Sequence, residues 1–267
     1  MKKIWTWGIS FIVTLIIAVF QRTTGPTYPV KDNVNFAQEK INFKLRRSHS
    51  GNDDELIKIM VKNKDITGII KWKYYRVNQD LKTISMKRKD KFLYGYLPGQ
   101  PVAGKLEYDV ILKNRNRQIS LTNGKFVVIR FRGKVPWYFL VSHILFMFLA
   151  ILFCIQTFIE IFTSNRYTRQ LAFITFIMIV LGGFIFGSIV QLYAFGVAWA
   201  GFPLGSDLTD NKTLIALLLW IFALWMGLNR KDTKISYLVA AVGTIIVYFI
   251  PHSLFGSELD YSKIINK

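Results

Sequence analysis

Five stretches of this chain are nearly free of charge and long enough to call for a hydrocarbon surrounding. They are residues 4–20, then approximately 137–160, 171–195, 213–228 and 235–251. About 20 apolar residues in a helix cross a ~30 Å hydrocarbon core, and 213–228 is the stretch at the low end of that range. In lipid the backbone must satisfy its own hydrogen bonds, so each stretch reads as a membrane-spanning helix.

The remaining sequence is of a different kind. Residues 22–135 hold 25 of the chain's 35 Lys/Arg but only 10 of its 16 Asp/Glu. The mean hydropathy of +0.30 therefore averages a basic, water-exposed module with a membrane module. Four regions follow: a membrane anchor at 1–21, a β module at 22–135, four helices over 136–251 and a tail at 252–267. The single cysteine, Cys154, lies in an apolar run, so the chain forms no internal disulfide and carries no Cys-based metal motif.

Loop charges set the expected direction. The first stretch follows a basic start, and Phe20 and Gln21 after Ala18 and Val19 make a poor cleavage site, so it reads as a retained anchor. With the N-terminus in the cytoplasm, the short loops bearing Arg166/Arg169 and Arg230/Lys231/Lys234 also fall inside, as the positive-inside rule expects. The β module, the 201–213 loop and the C-terminal tail then lie outside the cell membrane. Trp5, Trp7, Trp137, Tyr138 and Trp199 fall at the expected membrane–water boundaries.

Between 31 and 135 the hydrophobic period becomes two. Ile41, Phe43 and Leu45 alternate with Asn42, Lys44 and Arg46, and Leu106, Tyr108, Val110 and Leu112 repeat the pattern. Further strand-like runs are 56–62, 68–76, 82–88, 91–97 and 125–132, parted by turn sequences such as "SGNDD", "LPGQPVAGK" and "TNGK". Seven or eight short strands at this spacing predict a β-sandwich. Residues 92–112, "FLYGYLPGQPVAGKLEYDVIL", resemble the E–F corner of fibronectin-III and immunoglobulin-like domains. That resemblance implies an immunoglobulin-like fold and, by analogy, a binding role. The whole chain looks like a bacterial multi-pass membrane protein. The fold class expected is thus mixed: an all-β extracytoplasmic sandwich between an anchor and a four-helix bundle.

The basic clusters Lys71/Lys73, Lys87/Arg88/Lys89, Lys113/Arg115/Arg117 and Arg130/Arg132/Lys134 suit an acidic envelope protein or anionic headgroups, or else form solvated strand faces. Nucleic acid is not an expected partner for an extracytoplasmic module. In the third span Gly183 and Gly187 form GxxxG, which with Gln191 reads as a helix-packing seam. Glu160 reads as a solvated acid at the cytoplasmic boundary, and His49 as a solvated loop residue.

A polar constellation is expected at the external boundary. It comprises His143 in the second span, Asp207 and Asp210 in the loop, and His252, Glu258 and Asp260 in the tail. Ionisable groups within spans are functional candidates. Imidazoles with carboxylates can hold haem or a divalent metal, or act as an acid–base pair. Structural roles compete: either aspartate can cap a helix, and each histidine can bond a carbonyl. The loop from Trp199 to Asp207 loosely resembles the tryptophan-rich loop of cytochrome c biogenesis proteins, but has one Trp. Neither a cofactor nor a metal is identified, and no catalytic nucleophile is apparent. The leading expectation is a non-enzymatic membrane protein whose sandwich binds an envelope partner as an assembly, scaffold or accessory component. The alternatives are a haem- or metal-binding maturation component and an enzyme acting on envelope lipid or polymer.

Overall fold

A computed structural model describes residues 2–229, 234–251 and 259–261. The chain is mixed α and β and divides into two compact units, one helical and one built of strands.

The helical unit begins with α1 (Lys2–Thr24) and resumes after the strands with α2 (Trp137–Phe162). A continuous rod follows, made of α3 (Thr168–Ile179), a π-helical segment (Val180–Phe186) and α4 (Gly187–Phe195); α5 (Leu208–Asn229) and α6 (Lys234–Phe249) complete it. Among the described residues, four helical stretches are long and apolar enough to cross a membrane: Ile4–Thr24, Trp137–Phe162, Thr168–Phe195 and Leu208–Leu228. The α5 stretch is longer than its uncharged run because Asp207 starts the helix before that run begins. The helix Lys234–Phe249 is shorter, at 16 residues.

Small and polar side chains hold this unit together. Ala150, Cys154, Ala172, Ala216, Ala223, Ala240 and Ala241 are buried where helices meet, around the fully buried Trp220. The Trp220 indole N–H donates to Thr244 Oγ1 at 3.0 Å. Against α2, Ser10 donates to Gln156 Oε1 at 2.8 Å, and Gln156 Nε2 donates to Thr6 Oγ1 at 3.2 Å. Near the other end of α1, Gln21 Nε2 donates to the Tyr248 carbonyl at 2.6 Å. In an apolar medium such bonds specify which helix faces meet. Glu160 is buried rather than solvated. Its carboxylate accepts from Ser164 and from the Tyr167 N–H, stapling the turn between α2 and α3.

The β unit spans Thr27–Lys134. A hairpin pairs β1 (Val30–Phe36) with β2 (Glu39–Leu45). The largest sheet runs in the order β3 (Ser48–Ser50), β11 (Val127–Arg132), β9 (Lys105–Asn114), β5 (Thr67–Tyr74), β6 (Lys82–Ser85), with β10 (Arg117–Ser120) paired to β9. A three-stranded sheet has the order β4 (Glu55–Met60), β8 (Phe92–Leu97), β7 (Lys87–Lys89). Pairing is antiparallel except for β3 beside β11. The alternating runs became strands because one face buries: Ile57 and Ile59 of β4, Leu93 and Leu97 of β8, and Leu106, Tyr108, Val110 and Leu112 of β9 share one core. Each such side chain contributes about 1.5–3 kcal/mol on leaving water. The alternation failed to reveal β1, whose "VKDNVNF" has three consecutive exposed polar residues, and the short β3 and β10.

Residues 259–261 complete this unit. The Leu259 N–H donates to the Ala103 carbonyl at 3.1 Å. Tyr261 donates to Gln100 Oε1 at 2.8 Å and packs its ring on Tyr74, with centroids 4.6 Å apart.

Candidate functional site

The aspartates expected at a bundle mouth occupy the start of α5, where they do different work. Asp207 is the N-cap: its Oδ1 accepts from the Thr209 N–H at 2.8 Å, which satisfies a donor the first helical turn leaves open. Asp210, three residues on, turns to the preceding loop instead. Its Oδ2 accepts from the Ala200 N–H at 2.7 Å and from Gln191 Nε2 at 2.9 Å. Asn211 Oδ1 accepts from the Phe202 N–H at 2.6 Å, and the Asp207 N–H closes onto the Ala200 carbonyl at 2.9 Å. The first turn of α5 thereby dictates the path of the loop 196–207. Trp199 stacks on Phe184 at 5.2 Å between centroids, and its indole N–H donates to the Phe202 carbonyl at 3.1 Å. The loop presents Phe202 and Leu204 outward, 69% and 78% exposed.

His143 is engaged elsewhere. Its Nδ1 lies 2.8 Å from the Gly182 carbonyl, so that nitrogen carries the proton and donates. The same carbonyl accepts the Gly187 N–H, the bond that widens the helix there. A side chain at Gly182 would meet the Met147 backbone nitrogen at 2.9 Å and Phe146 Cβ at 3.0 Å. One at Gly183 would meet the Thr213 methyl, and one at Gly187 would meet the His143 ring at 3.4 Å. These glycines let α2 and α5 approach the π segment. Of the expected constellation, then, Asp207 caps α5, Asp210 bonds Gln191 of the packing seam, His143 binds Gly182, and Asp260 is exposed. His252 and Glu258 lie outside the described residues. Among the described residues, no group of three or more His, Cys, Asp or Glu is arranged to hold a metal ion.

Lys212 escaped the sequence reading. It is buried, and its Nζ donates to the Ile250 carbonyl at 2.8 Å, joining the start of α5 to the end of α6. A lysine opening an apolar run, five positions after a capping aspartate, is the signal that was there to be read.

In the β unit, His49 is not a solvated loop residue. It lies on β3 with Nδ1 2.6 Å from the buried Glu55 Oε2 and Nε2 3.3 Å from Asp53 Oδ1. Burying Glu55 demands such a partner, and Arg46 adds a second at 3.5 Å. The Asp53 carboxyl sits below the usual carboxylate range because its own backbone N–H and the His49 ring both hydrogen-bond to it. Tyr108 donates to the Arg46 carbonyl at 2.8 Å, and burial, with the Glu55 charge, pushes its hydroxyl far above the ordinary phenol range.

Several acids of this unit are turned onto its own scaffold, while Asp32, Asp65, Asp80 and Asp90 are exposed. Glu39 accepts the N–H groups of Lys62 and Asn63 at 2.8 and 2.9 Å, Asp54 accepts the Gly99 N–H at 2.8 Å, and Asp109 accepts the Thr122 hydroxyl at 2.7 Å. Arg88 leaves its expected cluster as well, reaching the carbonyls of Val61, Asn63 and Ile66. Lys58, Lys62, Lys87, Lys89 and Lys91 remain exposed to solvent.

No protein-family model matches this chain, and no curated protein or solved structure is significantly similar to it.

Proposed function

We propose that this chain is a non-enzymatic membrane protein whose basic β module lies outside the cell membrane and binds an acidic envelope component, with the helical unit as its anchor. The observation that carries this reading is the basic excess of the module, 25 Lys/Arg against 10 Asp/Glu over residues 22–135, sharpened where acids bond to its own scaffold. Glu39, Asp54, Glu55 and Asp109 bond inward to the scaffold, while exposed lysines face solvent. Such a surface attracts anionic partners and speeds their capture.

We read the module as an immunoglobulin-like sandwich. The strand order β3-β11-β9-β5-β6 against β4-β8-β7 supports this, as does the parallel edge strand β3. Two features favour a five-span topology with the N-terminus inside. Ser10 and Thr14 of α1 are buried and hydrogen-bonded, which suits a retained bundle helix better than a cleaved leader. The segment Leu259–Tyr261 returns to the β module after four helical rods, so an even number of crossings separates the two; this argues that α6 spans despite its 16 residues. The short basic loops point the same way.

At the bundle mouth, the bonds of Asp207, Asp210 and His143 to backbone groups support structural roles for all three. The test is deletion of residues 31–135 from the full chain. The reading requires that the inserted bundle persist and the co-purifying envelope component be lost; retention of that component by the deletion variant refutes it.

A further inference from the structure

The outer face of the sheet β4-β8-β7 has a composition unlike the rest of the module. Register sets Leu56 opposite Tyr96, Lys58 opposite Tyr94 and Met60 opposite Phe92. On the other side of β8, Lys87 stands opposite Tyr94 and Lys89 opposite Phe92. Side chains alternate along each strand, so these residues share one surface while Ile57, Ile59 and Leu93 fill the core behind it. Leu56, Met60 and Tyr96 are 39%, 43% and 56% exposed. An aromatic row thus runs along β8 with apolar groups and ammonium groups beside it, and none of these strand positions carries a carboxylate.

Lys58 is held in place. Lys58 Nζ lies over the Phe92 ring at 3.9 Å from its centroid. The edge strand bearing Lys87 and Lys89 is pinned by Arg88, which points the other way into three carbonyls. A pre-set ammonium group loses little freedom when an anion binds.

Size and chemistry select the occupant. Two six-residue strands and one of three residues, about 4.8 Å apart, cover on the order of 200 Å², against about 800 Å² per partner for a stable globular interface. The face therefore fits a single extended segment. Leu56 and Met60 suit aliphatic side chains, and the ammonium groups of Lys58, Lys87 and Lys89 suit carboxylates. Building on the proposed binding role of the module, we infer that this face is its docking surface. Its ligand is an extended polypeptide segment that alternates acidic with apolar residues.

The experiment uses the full chain in nanodiscs of zwitterionic lipid and, as probe, a fluorescent peptide alternating glutamate with valine. The peptide is expected to bind, and Lys58→Glu with Lys87→Glu to weaken it about tenfold. Tyr96→Ala should weaken it as well, while Lys58→Arg with Lys87→Arg keeps it. Reversal of Lys40 and Lys44 on β2 should leave affinity within about twofold. The proposal is overturned if the peptide does not bind, or if reversal on β2 costs as much as reversal on this face. It is equally overturned if phosphatidylglycerol vesicles, and not the peptide, are what the face variants release. A reversed chain that still holds the envelope component lost on deleting 31–135 overturns this surface alone. Retention by the deletion variant overturns the binding role itself.

Discussion

Gln191 on α4 and Asp210 on α5 meet side chain to side chain at 2.9 Å, and the same carboxylate oxygen holds the Ala200 N–H of the loop between the two helices. Removing the carboxylate strands two donors in a poorly hydrated place. Asp210→Ala is expected to destabilise the helical unit by about 3 kcal/mol, and Asp210→Asn, which keeps one acceptor oxygen, by roughly 1 kcal/mol. Unfolding followed by the circular dichroism of the helices distinguishes them; equal losses would mean that the bonds contribute nothing specific.

Close helix approach gives a second prediction. Gly182→Ala pushes a methyl against the α2 backbone at Met147 and should cost about 1–3 kcal/mol. Gly8→Ala, in α1 with nothing within 4 Å, should be neutral or stabilise the helix by up to about 1 kcal/mol. Thermal midpoints of the two variants in one lipid composition provide the comparison.

The β1–β2 link places Ala37 at φ 48° and Gln38 at φ 65°, left-handed backbone that neither side chain favours. Ala37→Asn with Gln38→Gly should raise the stability of the β unit by about 1 kcal/mol. The urea midpoint of its unfolding transition reports the change, and an unchanged or lower midpoint would contradict the left-handed geometry.

Much of the fold was legible before any coordinates, because hydrocarbon length and strand alternation are local signals. The runs around Trp137, Leu171 and Thr213 announced helices, and Ile41, Phe43 and Leu45 announced a strand. What stayed hidden was non-local. Asp210 looked like a helix cap, but its partners lie 10 and 19 residues back. His49 looked solvated until β4 folded a buried Glu55 beside it. Arg88 read as one of a basic triplet, whereas strand alternation turns it away from Lys87 and Lys89. The widening of the helix at Gly182 depends on a carbonyl shared with His143, which no periodicity encodes.

Tyr261 supplies a pH prediction. Burial pushes its hydroxyl up to about 12, so the folded state disfavours the tyrosinate. Docking of this residue is fully present below the ordinary tyrosine value of about 10 and is lost as pH rises through about 12. The difference in tyrosinate absorbance between the parent chain and Tyr261→Phe isolates this titration; a midpoint near 10 would show the ring to be undocked. At neutral pH, Tyr261→Phe should weaken docking by about 1 kcal/mol while keeping the contact with Tyr74.

That docking also imposes an order on biogenesis. The strands are synthesised before α2 to α6, yet Leu259 and Tyr261 seal against Ala103 and Gln100 only after every later helix has been made. A ribosome stalled within α5 would leave the domain without its clasp, so the clasp records that translation ran through the whole helical region.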